Sequence, residues 1–234
     1  MNLKKIKGLI IRIMENSEFL QQYARKKAEQ NQGNFLSRKR TELHESWQNI
    51  SESSLQTYIK GTNAESFLLT QIKTLPVNLD DDIFEVGCNV GRNLNHLHDN
   101  GYRKLHAIEI NHNAIDRMSK IFPSTYESSN IIEGSVEEKI KTFEDNEIKL
   151  TFSMAVLQHI HPESNFIFKE ISRITSKYII IMERETLTHI FDEFPRNYKE
   201  IFEKLGWKEL RDENLDPYKF SKSNGYHYRL FEKQ

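Results

Sequence analysis

One cysteine, Cys88, stands among 234 residues, so an intramolecular disulfide is excluded and the chain suits a reducing cytosol. Within a glycine turn, Cys88 reads as a small residue in a tight loop, with a reactive thiol as the alternative. No apolar run approaches the roughly 20 residues of a membrane span, and mean hydropathy is −0.67. A short apolar stretch near the start is interrupted by Arg12 and lacks a small-residue cleavage site, so a signal peptide is not expected. There is no internal repeat and no low-complexity tract. There is no Cys/His cluster for zinc and no acidic cage for magnesium, so no metal is expected. His96 and His98, two apart in a predicted helix, face different directions.

What is present begins with uneven charge. The net charge is −1, yet residues 1–40 hold ten Lys/Arg against three Glu. Such asymmetry marks either a surface for acidic partners or a solvated helix face. Residues 1–14 place Leu3, Ile6, Ile10 and Ile13 on one helical face with lysines opposite. A helix of this kind can lie on an anionic membrane as a peripheral contact, or pack on its own domain. Residues 15–45 continue helical, with a break at Gly33–Asn34. Trp47 and Tyr58 sit in a polar region. Asn63 is placed to cap a helix carrying Phe67, Leu68, Ile72 and Leu75, which Pro76 ends. Residues 1–75 therefore read as a helical arm or cap, and residues 76–234 as the main domain.

Strands and helices alternate from there. Strands are expected at Ile83–Phe84, Leu105–Ile110, Asn130–Glu133, Ile148–Met154 and Tyr178–Met182. Helices are expected through Leu94 and Leu97, over Asn113–Phe122 with Pro123 as stop, and over Val136–Phe143. Two more are expected over Pro162–Ile174 and Phe194–Leu205, the latter stopped by Gly206. Alternation implies a parallel sheet covered on both faces. Two final strands, Lys208–Asn214 and His227–Glu232, have no helix between them, only a polar loop over Asp216–Gly225. That suits an antiparallel hairpin.

The chain is organised around FEVGCNVGRNL, residues 84–94: apolar strand, glycine turn, amphipathic helix. This is how α/β proteins bring backbone N–H groups close to a nucleotide-like ligand. A dinucleotide fingerprint needs G-x-G-x-x-G, and Asn89 stands where its middle glycine would be. The spacing instead resembles the E/D-x-G-x-G-x-G loop of class I methyltransferases. Asn89 replaces the middle glycine there, and asparagine tolerates a left-handed backbone. Three further motifs carry the likeness. Glu109 ends the second strand, 22 residues after Gly87. Glu133–Gly134–Ser135–Val136 follows the third strand, with Ser135 where an Asp is often found. FSMAVLQHIHPES, residues 152–164, looks like the family's V-L-E/H-H-I segment, with Gln158 in the place of the common acidic residue.

The resemblance covers residues 82–182 well. It implies a Rossmann-like α/β sandwich whose mostly parallel seven-stranded sheet has an antiparallel last strand. It implies S-adenosylmethionine as cofactor, held by Glu85, Gly87, Cys88, Asn89, Gly91, Arg92 and Asn93 of the loop. Glu109 and Ile110 would meet the ribose side, and Gly134, Ser135 and Val136 the adenine. Ser153, Met154, Ala155 and Gln158 would complete the wall. The whole chain looks like bacterial or archaeal methyltransferases of surface-polysaccharide and sugar pathways, which implies a hydroxyl acceptor on a sugar, glycan or other small molecule.

A hydroxyl acceptor loses a proton, so a neutral base helps. His159, just beyond the fourth strand, is the leading candidate and His161 the second. Alternatively His159 packs or orients the cofactor, and His161 caps the loop. Glu183, Arg184, Glu185 and His189 are candidates for the acceptor pocket, with Arg196 and Tyr198 behind them; a charged surface loop is the other reading. Two rival functions remain open. One is a nucleic-acid methyltransferase using the basic arm, although the chain is not basic overall and lacks an N/D-P-P-Y motif. The other is a non-catalytic protein that keeps the fold. The oligomeric state is not legible.

Overall fold

The computed structural model describes residues 38–61, 63–185, 192–215 and 225–234. The expected helix at 1–14, the break at Gly33–Asn34, His189 and the loop at 216–224 lie outside these residues.

Among the described residues the sequence periods become nine α-helices and seven strands, besides three short 3-10 turns. Helices α1 (Arg40–Gln48), α2 (Glu52–Ile59) and α3 (Asn63–Lys73) precede the sheet. Then follow β1 (Ile83–Val86), α4 (Arg92–Asp99), β2 (Leu105–Glu109), α5 (His112–Ile121) and α6 (Pro123–Ser128). Next come β3 (Asn130–Glu133), α7 (Val136–Lys139), β4 (Ile148–Met154), α8 (Ile167–Ile174) and β5 (Thr175–Arg184). Helix α9 (Tyr198–Lys204) and strands β6 (Trp207–Asn214) and β7 (Tyr226–Lys233) complete the order.

The strands form one sheet in the order β3-β2-β1-β4-β5-β7-β6. Strands β1 to β5 pair in parallel. Strand β7 runs antiparallel between β5 and β6. This is a Rossmann-like α/β sandwich with an antiparallel last strand, as expected. Strand order reverses between β1 and β4, and in open α/β sheets ligands settle outside the carboxyl ends of strands at such a switch point.

Side chains leave a strand alternately to its two faces, so each strand feeds two cores. Ile83, Ile180 and Met182 join Leu68, Ile72, Leu94, Leu97 and Met118 on one side, under α3, α4 and α5. Phe84, Val86, Ile179 and Ile181 join Phe168, Ile171, Tyr198 and Phe202 on the other, under α8 and α9. Double coverage explains why β5 reads as an unbroken apolar run over Tyr178–Met182 and why β1 is buried along its whole length.

Several boundaries differ from the sequence expectation. The helix expected to stop at Pro123 ends at Ile121, and Pro123 also opens α6 at its first position, where a missing N–H costs nothing. Asn63 is the first residue of α3. The stretch after Val136 tightens into a 3-10 turn over Ile140–Thr142. Pro162–Ser164 is likewise 3-10, and α8 begins only at Ile167. Residues 194–197 are not helical, and α9 starts after Asn197, whose side chain accepts from the Glu200 N–H. Strand β5 runs on to Arg184, because β7 pairs with it as far as Arg184↔Tyr226.

Candidate functional site

The turn after β1 is built from three left-handed residues: Gly87 (φ 70°), Asn89 (φ 50°) and Gly91 (φ 75°). Asn89 adopts the conformation expected of it, and its Oδ1 accepts from the Val90 N–H at 2.8 Å. Gly87 is required twice over, since a Cβ there would lie 2.8 Å from both Val156 methyls. The turn aims its N–H groups toward the end of β2. There the Glu109 carboxylate accepts from the Asn89 N–H at 2.6 Å and from the Asn111 N–H at 2.8 Å. Burial raises the Glu109 pKa, opposed by these backbone bonds. Each carboxylate oxygen has a second lone pair for a ligand hydroxyl.

Glu85 is buried at 1% exposure and receives the Asn93 amide at 2.6 Å on one oxygen. Its other oxygen, Oε2, and Asn93 Oδ1 have no hydrogen-bond partner among the described residues. Burial pushes the Glu85 carboxyl up to about 8. After β3, Ser135 precedes α7 without capping it, and its buried Oγ also has no partner among the described residues. These groups all line one cavity of about 480 Å³ at the switch point. A buried polar atom without a partner is costly, and three such atoms belong to residues that line this one cavity, which points to a polar ligand there.

The wall beyond β4 is also shaped by strain. Ala155 holds φ 57°, an unusual value for alanine, with its N–H donating to the Met182 carbonyl at 3.0 Å. His159 follows in a 3-10 turn. Its Nδ1 bonds the Asp192 carbonyl at 2.8 Å. A carbonyl only accepts, so Nδ1 carries the proton. Nε2 lies 3.1 Å from the Gln158 amide nitrogen. Burial lowers the His159 pKa, which keeps the ring neutral at pH 7. His161 accepts the Glu163 N–H at 3.2 Å and so caps the next turn, its pKa also lowered by burial.

The structure places the candidates unevenly. Gly87, Cys88, Asn89, Arg92, Asn93, Glu109, Ile110, Gly134, Ser135, Val136, Met154, Ala155, Gln158, His159, His161 and Arg184 all line the cavity, with Glu85. Gly91 stands behind it against Met118. Three further candidates do not line the cavity. The Ser153 hydroxyl donates to Glu183 at 2.6 Å and turns from the cavity. Glu183, fully buried, accepts the Val156, Leu157 and Gln158 N–H groups at 2.9–3.2 Å, so it builds the loop rather than an acceptor pocket. Glu185 is held by Arg229 in a buried ion pair. Arg196 likewise donates to the Leu157 and Phe194 carbonyls at 2.8 Å, and Tyr198 lies in the core.

Arm residues are one site component that sequence reasoning missed, besides Glu137, Glu193 and Tyr226. Arg40, Leu43, His44, Trp47, Ile50 and Tyr58 all line the cavity. The Trp47 ring lies 4.8 Å from that of His159. Asn111 Nδ2 donates to the Trp47 carbonyl at 2.8 Å, and His44 pairs with Glu137 at 3.1 Å. Arg92 donates to the Tyr58 and Lys60 carbonyls at 3.3 and 3.0 Å. The one available signal was an aromatic pair in an otherwise polar stretch.

Residues 84–181 match a family model described as a methyltransferase domain. No curated protein matches the sequence. Among solved structures, the chain is similar to an S-adenosylmethionine-dependent methyltransferase from Aquifex aeolicus, at 15% identity over 79% of this chain and 98% of that one, with TM-score 0.55. It is also similar to phosphoethanolamine N-methyltransferase 2 of Haemonchus contortus, solved with S-adenosyl-L-methionine. There the identity is 15% over 81% of this chain and 59% of that one, with TM-score 0.63. A third likeness is to geranyl diphosphate C-methyltransferase of Streptomyces coelicolor A3(2), solved with Mg2+, geranyl diphosphate and S-adenosyl-L-homocysteine. Its identity is 9% over 82% of this chain and 96% of that one, with TM-score 0.60.

Proposed function

We propose that this chain, which carries a methyltransferase domain at residues 84–181 on a methyltransferase fold, moves a methyl group from S-adenosylmethionine to a hydroxyl of a sugar, glycan or other small molecule. The observation that carries the reading is the cavity wall, whose unpartnered acceptors match the donors of this cofactor. Glu85 Oε2 and Asn93 Oδ1 would take its ammonium. Glu109 would take the ribose hydroxyls, and Ser135 with Val136 and Ile110 would border the adenine. The cofactor supplies an activated sulfonium methyl. The chain's residues have only to align an acceptor and exclude water.

His159 is neutral and lines the same cavity, so it is the candidate to hold a proton leaving the acceptor once the Gln158 amide gives up its bond to Nε2. His161 is assigned the lesser role of shaping the turn. The α1 helix, with Trp47 and His44 over the cavity, supports a small acceptor over a nucleic-acid duplex. Arg184, beside Glu193 and 4.9 Å from the Tyr226 ring, would shape the acceptor end. Residues 1–75 would then serve as the cap of the domain at 76–234.

Isothermal calorimetry with S-adenosylmethionine tests the reading. One site per chain with micromolar or tighter affinity is expected; absence of both heat and thermal shift would leave a fold without the activity.

A linked proton gives a second expectation. The folded chain holds Glu85 protonated up to about pH 8, whereas an unfolded carboxyl ionises near 4.5. The native state therefore binds the extra proton between those values, and this group's contribution to stability falls as pH rises through that window. An arriving ammonium favours the ionised form. Binding at pH 7 should release about one proton, seen as an observed enthalpy that varies with buffer ionisation enthalpy. Above about pH 9, or in Glu85→Gln, the release should vanish. An enthalpy independent of buffer at pH 7 would contradict the assignment.

A further inference from the structure

Gln158 is buried at 2% exposure, yet every polar atom it owns is committed. Its N–H donates to Glu183 at 3.2 Å, and its carbonyl accepts from the Phe194 N–H at 2.7 Å. Its side-chain Oε1 accepts from the Arg184 N–H at 2.8 Å. That bond fixes which end of the amide is oxygen, because an N–H must face an acceptor. The NH2 end is thereby turned to His159 Nε2 at 3.1 Å and the Tyr226 hydroxyl at 3.2 Å. The other ring nitrogen of His159 meets the Asp192 carbonyl. One donor and one acceptor thus grip the two nitrogens of a single imidazole, and they agree on one tautomer.

We propose that Gln158 is a positioning residue: it holds His159 neutral, with the proton on Nδ1 and the lone pair on Nε2, at the cavity face shared with Tyr226. The proposal rests on the methyl-transfer reading for its purpose, but its geometry does not need the cofactor. A hydrogen bond given to Nε2 stabilises the neutral ring, since the cationic ring would present a second N–H to the amide NH2. The charged groups facing His159 are Arg184 on β5 and Asp192 and Glu193 ahead of α9. Tyr226 on β7 is the neighbouring titratable hydroxyl, and Trp47 on α1 covers the ring without charge. Gln158 is the only group among the described residues shown to bond Nε2.

The test is a long-range 1H–15N correlation spectrum of the 15N-histidine protein, with His159→Gln used to assign the signal. Wild-type His159 is expected as the Nδ1–H tautomer, neutral at pH 7, with or without S-adenosylmethionine. Gln158→Glu keeps an acceptor for the Arg184 N–H but offers Nε2 a carboxylate. His159 should then become cationic and its titration should move upward. Gln158→Leu removes the donor and should move it in the same direction by less. In turnover, Gln158→Glu should lower kcat at pH 7 about tenfold or more at saturating S-adenosylmethionine, with the acid limb of the kcat profile moved up.

A wild-type ring protonated on Nε2 would overturn the proposal, and that result needs no variant to fold. A titration unmoved in a folded Gln158→Glu would overturn it equally. Absence of cofactor binding beside the expected tautomer would sink the methyl-transfer reading and leave the role of Gln158 standing.

Discussion

Replacing Glu183 with alanine should lower the melting temperature by about 6–12 °C. The carboxylate lies inside the sheet end and accepts four donors: the Ser153 hydroxyl and the N–H groups of Val156, Leu157 and Gln158. The hydroxyl can rotate to another acceptor, but the three N–H groups cannot. A buried donor left unsatisfied costs about 1–3 kcal/mol. Partial relaxation and water entry reduce the sum to about 3 kcal/mol or more, and a chain of this size shifts by about 2–4 °C per kcal/mol. Glu183→Gln should lose less, since one oxygen remains. Cofactor affinity should weaken in both variants, because Val156 and Gln158 line the cavity. Scanning calorimetry decides: a Glu183→Ala protein melting within about 2 °C of wild type would show that the loop does not depend on this carboxylate.

The second large effect is expected at Glu109. Alanine there removes the acceptor that ties the Asn89 and Asn111 N–H groups together and, in the proposed complex, the partner of the ribose hydroxyls. Hydrogen bonds to a charged group contribute about 1.5–3 kcal/mol each, so two lost bonds to the cofactor correspond to an affinity loss of about 100-fold or more. Glu109→Gln should fall between, because its NH2 group meets a backbone N–H that needs an acceptor. The measurement is the dissociation constant for S-adenosylmethionine. A value within about threefold of wild type, in a variant with unchanged thermal stability, would remove Glu109 from the cofactor's surroundings.

How legible these features were depends on whether their cause is local. Strands β3 and β4 fall at the residues expected from sequence, Asn130–Glu133 and Ile148–Met154, because apolar runs bounded by turn residues are a local signal. The left-handed Asn89 follows from its place in the glycine spacing. Pro123 was ambiguous for a physical reason: the same missing N–H that ends one helix is harmless at the start of the next. The charged run Glu183–Arg184–Glu185 resembled a surface loop. Its burial depends on partners up to 44 residues away, such as Arg229, that no window around residue 183 contains. Trp47 and His44 were invisible as site residues for the same reason, since only tertiary packing brings α1 to the ends of β2 and β4.

The position of β7 has a consequence for biosynthesis. It leaves the ribosome after the other six strands, yet it is seated between β5 and β6 and carries Tyr226 to the cavity. Until then a nascent chain exposes the β5 edge, where Ile179, Ile180 and Ile181 await Phe231, Leu230 and Arg229. Premature termination before Tyr226 should therefore yield aggregate rather than a soluble fragment, and the cavity is finished only once β7 has followed the other strands into the sheet.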